Sequence, residues 1–174
     1  KYMYLNLTNA AATGSEFWNN TEPTDSLVTT KGEPNSMGSA GDTIMYLWHD
    51  VPGLQKFGSY SGNSNADGVF VECGFRPAIL MIKNTGTTTN WVIVDSKRDT
   101  SNPLTQKLYA DYAGVENVSN PAGDGAAYNN IDFVSNGFKL RSNNSWTNTG
   151  YSYIYMAWAE APTVNLYGGG ASAR

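Results

Sequence analysis

Side chains able to make and break bonds are scarce in this chain. It holds one histidine, His49, and one cysteine, Cys73. A serine or cysteine nucleophile needs a base within hydrogen-bond reach. His49 is the sole imidazole, it lies beside Asp50 at the end of an expected strand, and no Gly-x-Ser-x-Gly turn occurs. It reads as a structural or exposed residue. Zinc would ask for several His or Cys ligands, and the chain has one of each. Cleaving a glycosidic bond takes two carboxylates about 5–9 Å apart across it. The acids here are spread out. Asp95 and Glu160 fall on or near expected strands, where Lys97, Arg98 or Arg141 are the expected partners. The sequence points to no catalytic residue, no metal centre and no cofactor.

Two features imitate chemistry without carrying it. Asn63-Ser-Asn-Ala-Asp-Gly68 has oxygen side chains at alternate positions and a sixth-position glycine, like the start of a calcium loop. It offers one carboxylate, and its twelfth position is Gly74 rather than a bidentate Glu. A turn in which Asn and Asp bond their own backbone is the expected form. Cys73 is expected to be a buried core thiol, because free cysteine is among the most buried residue types.

Binding is left to the aromatics, 13% of the chain. Trp48, Trp91 and Trp158 fall in expected strands and are assigned to the core. Trp18, Tyr128 and Trp146 fall in polar loops, where a ring has no core reason to be. A loop ring flanked by Asn and Asp suits stacking on a sugar with hydrogen bonds to its hydroxyls. It suits a subunit interface equally well. Both readings stay open for these three residues.

The elements that must position these residues are strands. Residues 68–83, Gly-Val-Phe-Val-Glu-Cys-Gly-Phe-Arg-Pro-Ala-Ile-Leu-Met-Ile-Lys, and 91–98 carry short β-branched, apolar runs bounded by Gly, Pro, Asn and Thr. Residues 78–82 are apolar without alternation, as expected of a strand covered on both faces. The polar loop 83–90 joins it to the next strand as a hairpin. Further strands are expected at 1–8, 26–30, 43–48, 57–60, 131–134, 137–141 and 151–159, while 104–112 is open between a strand and one helical turn. Residues 113–130 read as an irregular loop. No stretch longer than a turn has a 3.6-residue apolar period, so the chain is expected to be all-β.

Composition bounds the class. With 174 residues and 40% hydrophobic content the chain can bury one sizeable core. Charged residues are only 15%, so solubility rests on Asn, Thr, Ser and Gly. A net charge of −4 and an isoelectric point near 4.8 argue against a partner that is nucleic acid. No apolar run reaches the ~18–20 residues that span a bilayer, so no membrane insertion is expected. One cysteine permits no disulfide within the chain, as expected of folding in a reducing cytoplasm. The sequence opens at Lys1 without Met, as a fragment or processed product would, and nothing there resembles a signal peptide.

One internal echo bears on organisation. Thr43-Ile-Met-Tyr-Leu-Trp-His-Asp-Val-Pro52 and Tyr153-Ile-Tyr-Met-Ala-Trp-Ala-Glu-Ala-Pro162 share Ile, Trp four residues on, an acid two further and Pro two beyond. Residues 1–162 are expected to form a single β-sandwich domain. Within it 57–162 reads as a complete module and 1–52 as the closing part of a preceding one. Residues 163–174, Gly-rich, read as a tail or assembly arm.

Phe57-Gly-Ser-Tyr60, Gly62-Asn-Ser-Asn-Ala-Asp-Gly68, Gly74-Phe-Arg-Pro-Ala78, Trp91-Val-Ile-Val-Asp-Ser-Lys-Arg98, Ile131-Asp-Phe-Val-Ser-Asn-Gly-Phe-Lys-Leu-Arg141 and Tyr153-Ile-Tyr-Met-Ala-Trp-Ala-Glu160 together resemble a module of tailed-phage virion proteins. It recurs in tail fibre and tail-associated proteins of marine and cyanobacterial phages. The segment 17–24 resembles what precedes that module, and the resemblance covers most of 17–162. It implies an antiparallel, jelly-roll-type, concanavalin-like sandwich. It also implies a virion protein, assembled in the bacterial host cytoplasm, that works in assembly without catalysis; host-surface glycan attachment is the expectation that the loop aromatics add to it. Its implied partners are copies of itself, as a trimer, and neighbouring virion proteins. The Glu-x-Asp-x-x-Glu strand of glucanases on this fold is absent. Alternative expectations are a capsid decoration or packing protein, and a glycan-processing enzyme or free carbohydrate-binding module on the same fold.

Overall fold

The structure, a computed structural model, describes residues 1–31, 44–113, 116 and 130–162. The expected tail at 163–174 and most of the expected loop at 113–130 lie outside the described residues, as does Tyr128. The chain divides into two compact units. One comprises Lys1–Tyr4 and the described residues of Ala11–Trp48; the other comprises Leu5–Ala10 and the chain from His49 on.

The first unit has little regular structure. The strand expected at 1–8 is reduced to one antiparallel rung between Tyr2 and Ala12. No strand forms at 26–30 or 44–48. Strand-prone composition makes a strand only where a neighbour takes up the backbone N–H and C=O groups, and single ribbons are marginal in water. A one-turn helix, α1 (Ser15–Trp18), is present. Phe17 packs against Tyr2 with ring centroids 4.5 Å apart.

The second unit is the β-sandwich. Its strands are β1 (Gln55–Ser61), β2 (Phe70–Glu72), β3 (Ile79–Asn84), β4 (Val92–Asp95), β5 (Leu108–Tyr109), β6 (Ile131–Val134), β7 (Gly137–Leu140) and β8 (Ser152–Trp158). They form an antiparallel five-stranded sheet, β1-β8-β3-β4-β5, and an antiparallel three-stranded sheet, β2-β7-β6. The all-β expectation holds. The hairpin expected across 83–90 joins β3 to β4, and the open segment at 104–112 resolves as β5.

Period-two alternation sends one set of side chains from each sheet into a shared core. Leu80, Ile82, Val92, Val94, Tyr153 and Ala157 come from the larger sheet; Val71, Ile131, Phe133, Phe138 and Leu140 come from the smaller one. At roughly 25 cal/mol per Å² of apolar surface removed from water, each Val, Leu, Ile or Phe among them contributes about 1.5–3 kcal/mol before entropy is counted. Gly137 lets β7 close on β2, since a Cβ there would stand 2.0 Å from the Val71 carbonyl oxygen.

Residues 78–82 are not covered on both faces as expected. Leu80 and Ile82 are buried, whereas Ile79 is 45% exposed and Met81 half-buried. The outer face of the larger sheet stays apolar but partly open. In register, Phe57, Met156, Met81 and Ile93 make one row across β1, β8, β3 and β4.

Candidate partner-binding site

Of the two loop aromatics among the described residues, Trp18 is the one that the structure places in a groove. Helix α1 follows Gly14 in extended conformation and ends in two successive left-handed residues, Asn19 (φ 48°) and Asn20 (φ 53°). Asparagine tolerates that region because its short polar side chain bonds locally. The Asn19 N–H donates to the Ser15 carbonyl at 3.0 Å, and the Thr21 N–H donates to the Trp18 carbonyl at 2.8 Å. The chain thus reverses directly after Trp18 and brings Asn20, Thr21 and Glu22 back beside it. Successive helical residues point about 100° apart. Phe17 therefore turns to Tyr2, and Trp18 lines a groove of about 370 Å³ with Lys1, Gly14, Asn20, Thr21, Glu22 and Pro23.

The groove combines one half-buried indole with an amide, a hydroxyl, a carboxylate and an ammonium group. An apolar ring face edged by hydrogen-bonding groups of both polarities fits a polyhydroxylated ring such as a sugar.

Trp146 corrects the expectation that set it among exposed loop rings. It is only 5% exposed and belongs to the core. The Asn144 side chain accepts the Trp146 N–H at 2.8 Å, an Asx turn that folds the polar loop inward. The indole meets Tyr109 edge-on at 5.4 Å, and the Lys107 ammonium lies 5.1 Å over its ring. Such a ring offers no face to a partner. Trp48 is the opposite correction: assigned to the core, it is 58% exposed because 44–48 forms no strand. Trp91 is buried, and Trp158 is half-buried on the outer sheet face, edge-on to Phe57 at 5.7 Å. Exposed Tyr112 and Tyr151 went unremarked in the sequence, where nothing distinguishes them from strand-end core residues.

The carboxylates weighed above for chemistry are engaged in structure. Asp95 accepts from the Arg98 side chain at 2.8 Å, from the Arg98 N–H at 2.8 Å and from the Lys97 N–H at 3.0 Å. Burial alone would raise its pKa, but these bonds outweigh burial and hold it below the usual 3.8. Glu160 pairs with Lys97, and Asp132 with Arg141 at 2.6 Å. In the Asn63–Gly68 loop the Asp67 carboxylate meets Lys139 at 2.8 Å, and Asn63 and Asn65 accept backbone N–H groups two residues on. That is the expected turn. His49 is exposed, its Nδ1 2.8 Å from the Asp50 carbonyl. Cys73 is buried, and burial pushes its thiol up to about 12. A second, shallow concavity of about 490 Å³ lies between Asp50, Gln55, Lys56, Glu72, Cys73 and Gly74. Its Asp50 is tied to Lys56 and to the Phe57 N–H. Among the described residues no group of three or more His, Cys, Asp or Glu is placed to hold a metal ion.

No curated protein and no solved structure matches the chain. A family model described as a domain of unknown function, DUF7483, matches residues 1–162, and the chain belongs to that family.

Proposed function

We propose that this DUF7483 chain is a non-enzymatic structural module of a phage virion, part of a tail fibre or similar appendage, that attaches to host-surface glycan. It assembles in the bacterial host cytoplasm as a trimer, alongside neighbouring virion proteins, on a sandwich of the jelly-roll, concanavalin-like kind. The virion setting rests on the resemblance of residues 17–162 to phage tail modules. The observation that carries the binding role is the groove in which Trp18 stands beside Asn20, Thr21 and Glu22. The surrounding surface, poor in charge and rich in Asn, Ser and Thr, suits repeated weak contacts strengthened by multiple copies.

The test is binding of the chain to purified surface polysaccharide from candidate hosts, with Trp18→Ala as the comparison. Loss of a central aromatic anchor should weaken binding by about 1–3 kcal/mol, roughly fivefold to 160-fold. The variant should still fold, since the ring lies outside the sandwich core. Equal binding by the variant, or no binding to any polysaccharide, overturns the assignment.

A further inference from the structure

Residues 44–48, Ile-Met-Tyr-Leu-Trp, have the composition of a strand, form none, and are all exposed. The Tyr46 and Trp48 rings nevertheless stack, centroids 6.1 Å apart and planes 26° apart. Rings two residues apart meet this way on one face of an extended chain. The segment also repeats the Ile, Trp, acid and Pro spacing of β8. In β8 the matching residues Ile154, Met156 and Trp158 lie half-buried on the outer sheet face, and the backbone is paired on both sides, to β1 and β3. The Ile and Trp spacing that sits in a paired strand at 154–158 is present again at 44–48, which pairs with no strand among the described residues.

The larger sheet has an edge of the right kind. The Gly62 N–H bonds the Tyr151 carbonyl on the β8 side, and the Phe57 N–H points the other way. Antiparallel alternation puts the N–H groups of Ser59 and Ser61 on the same open side as that of Phe57. Both serines are exposed. A hairpin begins at this edge and stops at once. Val51 and Gln55 exchange both backbone bonds at 3.0 Å, but the next rung would need the Phe57 N–H, which Asp50 Oδ1 holds at 2.8 Å.

We propose that residues 44–48 of one copy add as a further strand to the open edge of β1, at 59–61, in a second copy of this chain. This names the surface for the self-association in the reading above, and rests on that reading. The occupant is a second copy because each copy carries both halves of the contact: an unpaired β8-like segment and an unpaired edge beside β8 itself. Addition there sets Tyr46 and Trp48 on the outer sheet face beside exposed Ser59 and Ser61, the side of β1 that also carries Phe57. Main-chain bonds supply the affinity of such strand addition, and alternate side chains supply the selectivity. An open sheet edge is otherwise a hazard that folded proteins blunt or cover.

Light scattering over a concentration series on the full chain tests it, with two variants that act on opposite halves. Ser59→Pro removes only an outward N–H, a change edge strands accept. Tyr46→Lys with Trp48→Lys charges the segment and touches nothing in the sandwich core. Each variant should raise the dissociation constant by at least about tenfold while the melting temperature stays put. If Ser59→Pro fails to fold, the double lysine variant still decides. A multimer unchanged by the lysine variant overturns this interface and leaves the self-association reading standing. A monomeric wild type at micromolar concentration overturns both. A monomer whose amides at 44–48 are protected from hydrogen exchange also overturns the proposal, since the strand would then be satisfied within its own chain.

Discussion

Asn148 and Asn63, 85 residues apart, hold one another through a reciprocal pair of hydrogen bonds: the Asn148 Oδ1 accepts the Asn63 N–H at 3.1 Å, and its Nδ2 donates to Asn63 Oδ1 at 2.9 Å. The same Nδ2 lies 2.8 Å from the carbonyls of Asn65 and Ser142. Asn148 has no exposed surface, so one amide joins the Asn63–Gly68 turn to the loop that precedes β8 without help from bulk water. A satisfied buried amide fixes one loop arrangement, because each alternative leaves a polar group dry.

Replacing Asn148 should therefore cost more than its size suggests. Asn148→Leu keeps the branched outline but strands the Asn63 N–H and several oxygens, and should cost about 3 kcal/mol or more. Asn148→Asp should be worse at neutral pH, since it sets a carboxylate against three oxygen acceptors in a dry site. Urea unfolding of the two variants at pH 7 checks both the magnitude and the order. Near-wild-type stability for either would mean that the loops are held by something else.

Asp95 makes a pH prediction with a definite sign. Its folded-state pKa lies below the usual 3.8, so the stability it contributes is present above that value. That contribution fades as pH falls through the folded value, where the native carboxylate finally binds its proton. Asp95→Asn should lose about 1–2 kcal/mol at pH 7, and the gap from wild type should narrow progressively as pH falls below 3.8. Stability curves that run parallel over that range would remove the carboxylate from the acid response.

How much of this was legible in the sequence differs by element. Strands β3, β4, β6, β7 and β8 stood out because β-branched runs ended at Gly, Asn or Pro, and each of them found a neighbour in a sheet. Residues 44–48 carry an equally strong pattern and form no strand, because pairing is a property of two segments and the pattern reports only one. The apolar run at 78–82 looked doubly covered, since composition cannot tell a covered outer face from an open one. Trp146 looked exposed for the converse reason. Its Asn and Ser neighbours are the hydrogen-bonding groups that turn the loop inward, and a polar neighbourhood reads the same whether it faces water or its own backbone. Trp18 was legible as a candidate, but its groove was not, because it depends on two consecutive left-handed asparagines.

Cys73 should be nearly inert. With its pKa pushed to about 12 by burial, the thiolate is rare at pH 8. Alkylation in the native state should run at least about 10³-fold slower than for a free cysteine. The rate should rise only with denaturant, in step with global unfolding. Rapid labelling of the native protein, with the melting temperature retained, would show that the thiol reaches solvent.

The tryptophans separate core from surface most sharply. Trp146 sits among Tyr109, Lys107 and the core, so Trp146→Ala should cost about 3–5 kcal/mol and unfold much of the population near 37 °C. Trp48→Ala removes a largely exposed ring and should change stability by no more than about 0.5 kcal/mol. Trp18→Ala removes a half-buried ring and should fall between the two in stability, and it differs from Trp48 in what is lost: polysaccharide binding for Trp18, self-association for Trp48. Thermal melts, polysaccharide binding and light scattering on the same three proteins check all of this together. If Trp48→Ala melts like Trp146→Ala, residues 44–48 are part of the packed interior. The strand then has its partner at home, and neither an open segment nor a second copy is needed to explain it.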